Sequence, residues 1–150
     1  MEITTESIKE LREMTSVSVM QCKKALEEAD GDLAKAEVIL KKHSAEFVAK
    51  KAERTLKAGA IGSYIHDGTI GVMVLLSCET DFVAKNPEFV ALARELAMQA
   101  AAMDPENTEE LLKQSFIKDE SKTIRNLLDE ATQKFGERIE ISNFTRISLR

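Results

Sequence analysis

Hydrophobic positions recur every three to four residues along the first forty positions, and the period shortens to two after residue 58. Ile8, Leu11 and Met14 predict a helix over 5–14. Val19, Cys22, Ala25, Leu26 and Ala29 predict a second over 18–29. Asp30-Gly31-Asp32 reads as a stop and a restart, with Gly31 suited to a left-handed backbone and Asp32 to a helix cap. A third helix buries Leu33, Ala36 and Leu40 and is expected to end near Lys41-Lys42-His43, cations that suit a helix C-terminus. Three short helices in about 40 residues make a bundle that is marginal by itself. Residues 44–57 are charged and helical without a strong apolar stripe, and read as a connector.

From Ala58-Gly59 onward the pattern is that of strands. Ala60 to His66 and Ile70 to Glu79 flank Asp67-Gly68, a strong hairpin signal. On the second strand Ile70, Val72, Val74, Leu76 and Cys78 share one face, while Met73 and Leu75 occupy the other. A strand apolar on both faces needs cover on both. Asn86-Pro87-Glu88 opens a helix with a cap, a first-position proline and an acid in the first turn. Its stripe is Phe89, Leu92, Ala93, Leu96, Ala97 and Ala100, and Asp104-Pro105 ends it. A short helix over 109–115 precedes a longer one carrying Ile124, Leu127, Leu128, Ala131 and Phe135, stopped by Gly136. Period two returns from Arg138 to Leu149, placing Ile139, Ile141, Ile147 and Leu149 on one face and Phe144 on the other. The expected architecture is α+β: a three-helix bundle over 1–43, a linker helix over 44–57, and over 58–150 a three-stranded antiparallel sheet with helices on one face.

Composition narrows the class. Apolar and charged fractions of 43% and 31% fit a folded globular chain and not a disordered one. The net charge of −5 is uneven. Residues 1–57 hold eleven Lys or Arg against eleven Asp or Glu, and residues 58–150 hold ten against fifteen. That acidity disfavours direct nucleic-acid binding and points to a protein partner. No apolar run approaches the roughly 18 residues that span a bilayer, and Met1-Glu2-Ile3-Thr4 does not resemble a signal peptide. Cys22 and Cys78 have no C-x-x-C spacing, so neither a disulfide framework nor zinc is expected. A cytoplasmic chain without membrane contact is expected.

No enzyme signature emerges, and no catalytic residue, metal or cofactor is assigned. His43 and His66 are isolated, and the glycines form no phosphate loop. Cys78 has no histidine or cationic helix start beside it in sequence and reads as a small core residue; Cys22 lies in an apolar stripe. The junction Cys78 to Asn86 is more informative, because strand gives way to helix around a large aromatic, Phe82. That ring is either an inward plug, the commoner case, or an outward probe. Asp81 reads first as a cap for the turn. Met20 falls off its helix stripe among Gln21, Lys23, Lys24 and Glu27, which makes it either an adaptable contact or an incidental exposure.

The run Cys78-Glu79-Thr80-Asp81-Phe82-Val83-Ala84-Lys85-Asn86 resembles the signature of the elongation factor Ts family. Leu11-Arg12-Glu13-Met14-Thr15 and Met20-Gln21-Cys22-Lys23-Lys24-Ala25-Leu26 resemble the N-terminal module of the same family. The order of elements agrees along nearly the whole chain. The resemblance implies guanine-nucleotide exchange on elongation factor Tu in its GDP-bound or nucleotide-free form. It implies that Thr80, Asp81, Phe82 and Val83 press on that partner's nucleotide-binding domain and dislodge its magnesium, and that Arg12, Val19, Met20 and Lys23 form a second contact. The chain departs from the pattern at Ser16 and Ser18, which replace glycines, and at Gln21, which replaces an acid. Longer members carry two core halves and a coiled coil; one half with a two-faced apolar strand implies a homodimer. The N-terminal helices also resemble ubiquitin-associated (UBA) domains, which gives an alternative as a peptide- or helix-binding adaptor, although the Met-Gly-aromatic loop is missing. A thiol enzyme using Cys78 is a third alternative.

Overall fold

A computed structural model describes residues 2–15 and 17–149. They group into two compact units, one of residues up to 52 together with 129–136, the other of 53–128 together with the chain from 137 onward.

The first unit contains α1 (Thr5–Thr15), α2 (Val19–Glu28) and α3 (Leu33–Lys51). Leu11, Val17, Cys22, Ala25, Leu26, Ala29, Ala36 and Leu40 form its buried cluster, with Ile3, Ile8, Leu33 and Ile39 packed around it. Two stripe positions differ from expectation: Met14 is 37% and Val19 51% exposed. Ser18 caps α2 by accepting from the Gln21 amide at 3.3 Å. The substitution at Ser16 lies outside the described residues. Gly31 takes φ 83° and donates to the Leu26 carbonyl, Asp30 is also left-handed, and Asp32 caps α3 through the Lys35 amide. The helix expected to stop near His43 runs on to Lys51. Residues 44–51 therefore complete α3, because no Gly or Pro interrupts them and Ser44 turns inward. Only 52–57 form an irregular link.

The second unit is built on β1 (Ala58–His66) and β2 (Ile70–Cys78). Asp67 and Gly68 both have positive φ, as a mirror-image turn requires, and the Thr69 amide closes it on the His66 carbonyl at 3.0 Å. α4 (Asp81–Ala84) and α5 (Pro87–Met103) follow, then α6 (Thr108–Lys113), a small hairpin of β3 (Ser115–Phe116) and β4 (Asp119–Thr123), α7 (Ile124–Phe135) and β5 (Glu140–Ser148). The last turns of α7 group with the first unit. The sheet order is β1-β2-β5, all antiparallel, so the architecture is α+β as expected. Inner-face Val72, Val74, Leu76 and Cys78 pack with Phe89, Ala93, Leu96, Ala97 and Ala100 of α5 in the core. Gly62 permits this approach: a Cβ there would stand 2.2 Å from the Ala93 carbonyl carbon.

β5 does not keep its expected alternation. Leu75 pairs with Asn143 and Leu76 with Ile141, so Ser142 is an extra residue in the ladder. Before this bulge Ile139 and Ile141 point into the core; beyond it Phe144 and Arg146 oppose inner-face Val74 and Val72. Ile147 and Leu149 are thereby turned onto the outer face, 70% and 81% exposed, a correction to the single shared face expected for all four. Ile61, Ile65, Met73 and Leu75 share that outer face.

Candidate functional site

β2 ends at Cys78 and α5 begins at Pro87, leaving eight residues to reverse the chain. Four of them form the single turn of α4. Thr80 is its cap, with backbone φ −127° and ψ 153° and its hydroxyl accepting from the Val83 amide at 3.4 Å. The cap is therefore Thr80 and not Asp81, which is the first helical residue; a threonine in extended backbone aims its oxygen at the amide three residues on. Val83 and Ala84 turn inward, and the Asn86 side chain caps α5 by accepting from Glu88 at 2.9 Å.

With Val83 and Ala84 facing in, the positions just before them face out. Phe82 is 87% exposed. The commoner fate of a phenylalanine is burial, so the outward alternative is the one realised. Asp81 beside it is also exposed. Thr80, Asp81, Phe82 and Val83 thus form one turn, with three side chains outward and Val83 anchoring it.

The turn is held by residues distant in sequence. One oxygen of the Glu137 carboxylate accepts from the Glu79 amide at 3.1 Å and the Thr80 amide at 3.0 Å, and the other accepts the Thr80 hydroxyl at 2.7 Å. Glu79 reciprocates, its carboxylate accepting from the Arg138 amide and from the Arg54 guanidinium at 3.3 Å. Arg138 in turn donates to the Arg54 carbonyl at 2.8 Å. Gly136, at φ 72°, ends α7 and lets the chain swing Glu137 toward the turn. Glu137 was not expected from sequence. The only hint there is an acid directly after a helix-stopping glycine.

Cys78 lies under this network, fully buried, with its thiol donating to the Thr80 carbonyl at 3.3 Å. Burial pushes the thiol pKa up, and the Glu137 carboxylate pushes it further, which disfavours the reactive thiolate. Cys22 is likewise raised by burial, against smaller opposing effects of Thr15 and Arg12. Among the described residues, no group of three or more His, Cys, Asp or Glu could hold a metal ion, and no helix is long and apolar enough to cross a membrane.

In the first unit, Arg12 on α1 and Val19, Met20 and Lys23 on α2 are all exposed. Val19 and Met20, at 51% and 69%, sit at the start of α2, and helical spacing puts Lys23 beside both. These four belong to one unit and the α4 turn to the other.

What the α4 turn offers is contact: an uncovered ring on a short, tethered helix at the end of an α+β sheet. The sequence family Elongation factor TS matches residues 79–150, the stretch that begins at this turn. The chain is similar to elongation factor Ts of Oleidesulfovibrio alaskensis, 40% identical with 98% of each chain covered. It is similar to that of Thermotoga maritima, 39% identical over 99% of this chain and 97% of the relative. Elongation factor Ts of Anaeromyxobacter dehalogenans is 38% identical over 99% of this chain and 89% of its own length. This chain belongs to the elongation factor Ts family. The first two alignments run over 193 positions against 150 residues here, so those relatives carry internal residues with no counterpart in this chain.

Proposed function

We propose that this chain promotes GDP release from elongation factor Tu in translation elongation, in the cytoplasm, by pressing Phe82 into the partner's nucleotide-binding domain near its magnesium and phosphate site. The observation that carries the site is the 87% exposure of Phe82 on a turn bonded to Glu137 at its start and anchored by buried Val83 and Ala84. A large apolar ring left in water on a fixed backbone is a preformed contact, since little ordering remains to be done on binding. Thr80 and Asp81 flank the ring, and Val83 anchors the turn behind it. Arg12, Val19, Met20 and Lys23 supply a second contact to the same domain.

The energetics follow from linkage. A factor that binds the nucleotide-free partner more tightly than the GDP form lowers the partner's affinity for GDP by the same ratio. Magnesium is the largest local charge holding the phosphates, so displacing its ligands is an efficient lever. Burial of the Phe82 ring supplies roughly 1.5–3 kcal/mol. Spent entirely against bound GDP, this is worth about one to two powers of ten in release rate. Phe82→Ala is therefore expected to fold normally and lose most of the acceleration, measured by stopped-flow release of a fluorescent GDP analogue. An unchanged release rate would remove the ring from the mechanism.

The outer sheet face is proposed to pair with that of a second copy of the chain. Ile61, Ile65, Met73, Leu75, Ile147 and Leu149 lie exposed together on one face of the paired strands. Sedimentation at micromolar concentration is expected to give a dimer; a stable monomer would exclude this pairing.

A further inference from the structure

We infer that Glu137 is a positioning residue for nucleotide exchange, holding the Glu79–Thr80 backbone so that α4 presents Phe82 in one fixed orientation. This rests on the exchange role proposed for Phe82. The first support is the shortness of α4. Four residues make one turn, too little for a helix to persist without outside contacts. Its own cap is weak, at 3.4 Å between the Val83 amide and the Thr80 hydroxyl. The chain entering the turn leaves the β1-β2 ladder at Cys78, so the amides of Glu79 and Thr80 have no strand partner there.

Glu137 supplies acceptors for both. A single carboxylate accepts from the consecutive Glu79 and Thr80 amides and from the Thr80 hydroxyl, at 3.1, 3.0 and 2.7 Å. Charge-assisted bonds of this kind are stronger than neutral ones, and three to one rigid group fix direction as well as distance. The tie is reciprocal, since the Glu79 carboxylate accepts from Arg138 next to Glu137. Arg54 offsets the proximity of two acids by pairing with Glu79 and receiving a bond from Arg138 through its carbonyl.

The position of the clamp separates it from the fold. Val74, Leu76, Phe89 and Leu96 form the sheet–helix core without it, whereas Thr80 and Phe82 stand in solvent. Loss of the carboxylate should therefore loosen the turn and leave the sheet intact. The ring would remain exposed but sample many directions, and fewer encounters with the partner would be productive.

The test is a mutant cycle in stopped-flow GDP release from GDP-loaded elongation factor Tu, combined with amide hydrogen exchange on the free factor. Glu137→Ala is expected to lower the maximal release rate about tenfold. The Glu79 and Thr80 amides should exchange faster, while those of Val74 and Leu76 stay as protected as in the wild type. The Phe82→Ala, Glu137→Ala double variant should be no slower than Phe82→Ala alone, because the clamp acts through the ring. Glu137→Gln keeps one acceptor oxygen and should restore part of the rate; it also carries the cycle if the alanine variant fails to fold. A wild-type rate in Glu137→Ala, fully additive losses in the double variant, or equal loss of protection in the core strand would each overturn the positioning role. A wild-type rate in Phe82→Ala instead brings down the exchange reading of the ring, and the clamp's role with it.

Discussion

Each unit leaves apolar side chains in water, and the two do so by different means. Val19 and Met20 sit on the first turn of a ten-residue helix whose opposite face is buried. Their direction follows from the helix, and the helix from its own buried stripe. Phe82 sits on a four-residue turn whose cap is long and whose place depends on Glu137, more than fifty residues along the chain. The first arrangement exposes a flexible thioether at the start of α2. The second uses several charge-assisted bonds to hold the backbone that leads into the ring-bearing turn. Under the exchange role proposed for Phe82, a side chain that pushes on a partner requires such a backing, whereas one that adds adhesion does not.

Three variants probe this contrast in order of expected effect. Phe82→Ala should be the most damaging, at about one to two powers of ten in GDP release, with little change in melting temperature because an exposed ring contributes little to folding. Replacing Val19 and Met20 together by alanine should act on affinity: the factor concentration for half-maximal release rises several-fold, about 1 kcal/mol, and the rate at saturation stays near wild type. A reduced saturating rate would show that the N-terminal contact also drives release, erasing the distinction. Ser18→Ala should be mildest, costing about 0.5 kcal/mol of stability, at the low end for a lost cap given its 3.3 Å bond. Thermal denaturation would detect it while exchange stays unchanged. A large loss of exchange would mean that the start of α2 is held as critically as the α4 turn.

Much of this was legible locally. Asn86-Pro87-Glu88 begins α5 where its residues predict, and the buried stripe from Phe89 to Ala100 follows the helical period, with Leu92 half-buried. The Asp67-Gly68 turn has the backbone its residue types favour. Other features had no local signature. Lys41 and Lys42 do not mark the end of α3, because cations are as compatible with a helix middle as with its end. The β3-β4 hairpin is invisible to the pattern because Asp119 to Thr123 is polar and shows no alternation. Glu137 resembles any surface acid until the fold brings it to Thr80. Even the outward course of Phe82 was open from sequence, where burial is the commoner outcome.

Periodicity, caps and turn residues were enough to specify the α+β class and the helix and strand types of the main elements, because those preferences act between neighbours a few residues apart. Three matters needed the folded chain: the way Phe82 faces, the carboxylate that holds its turn, and the bulge at Ser142 that moves Ile147 and Leu149 to the outer face. Each depends on which distant segments meet, and on one residue of register between paired strands. A pattern read along one strand cannot register that, since a single extra residue leaves composition and local period almost unchanged while it reverses every side chain beyond it.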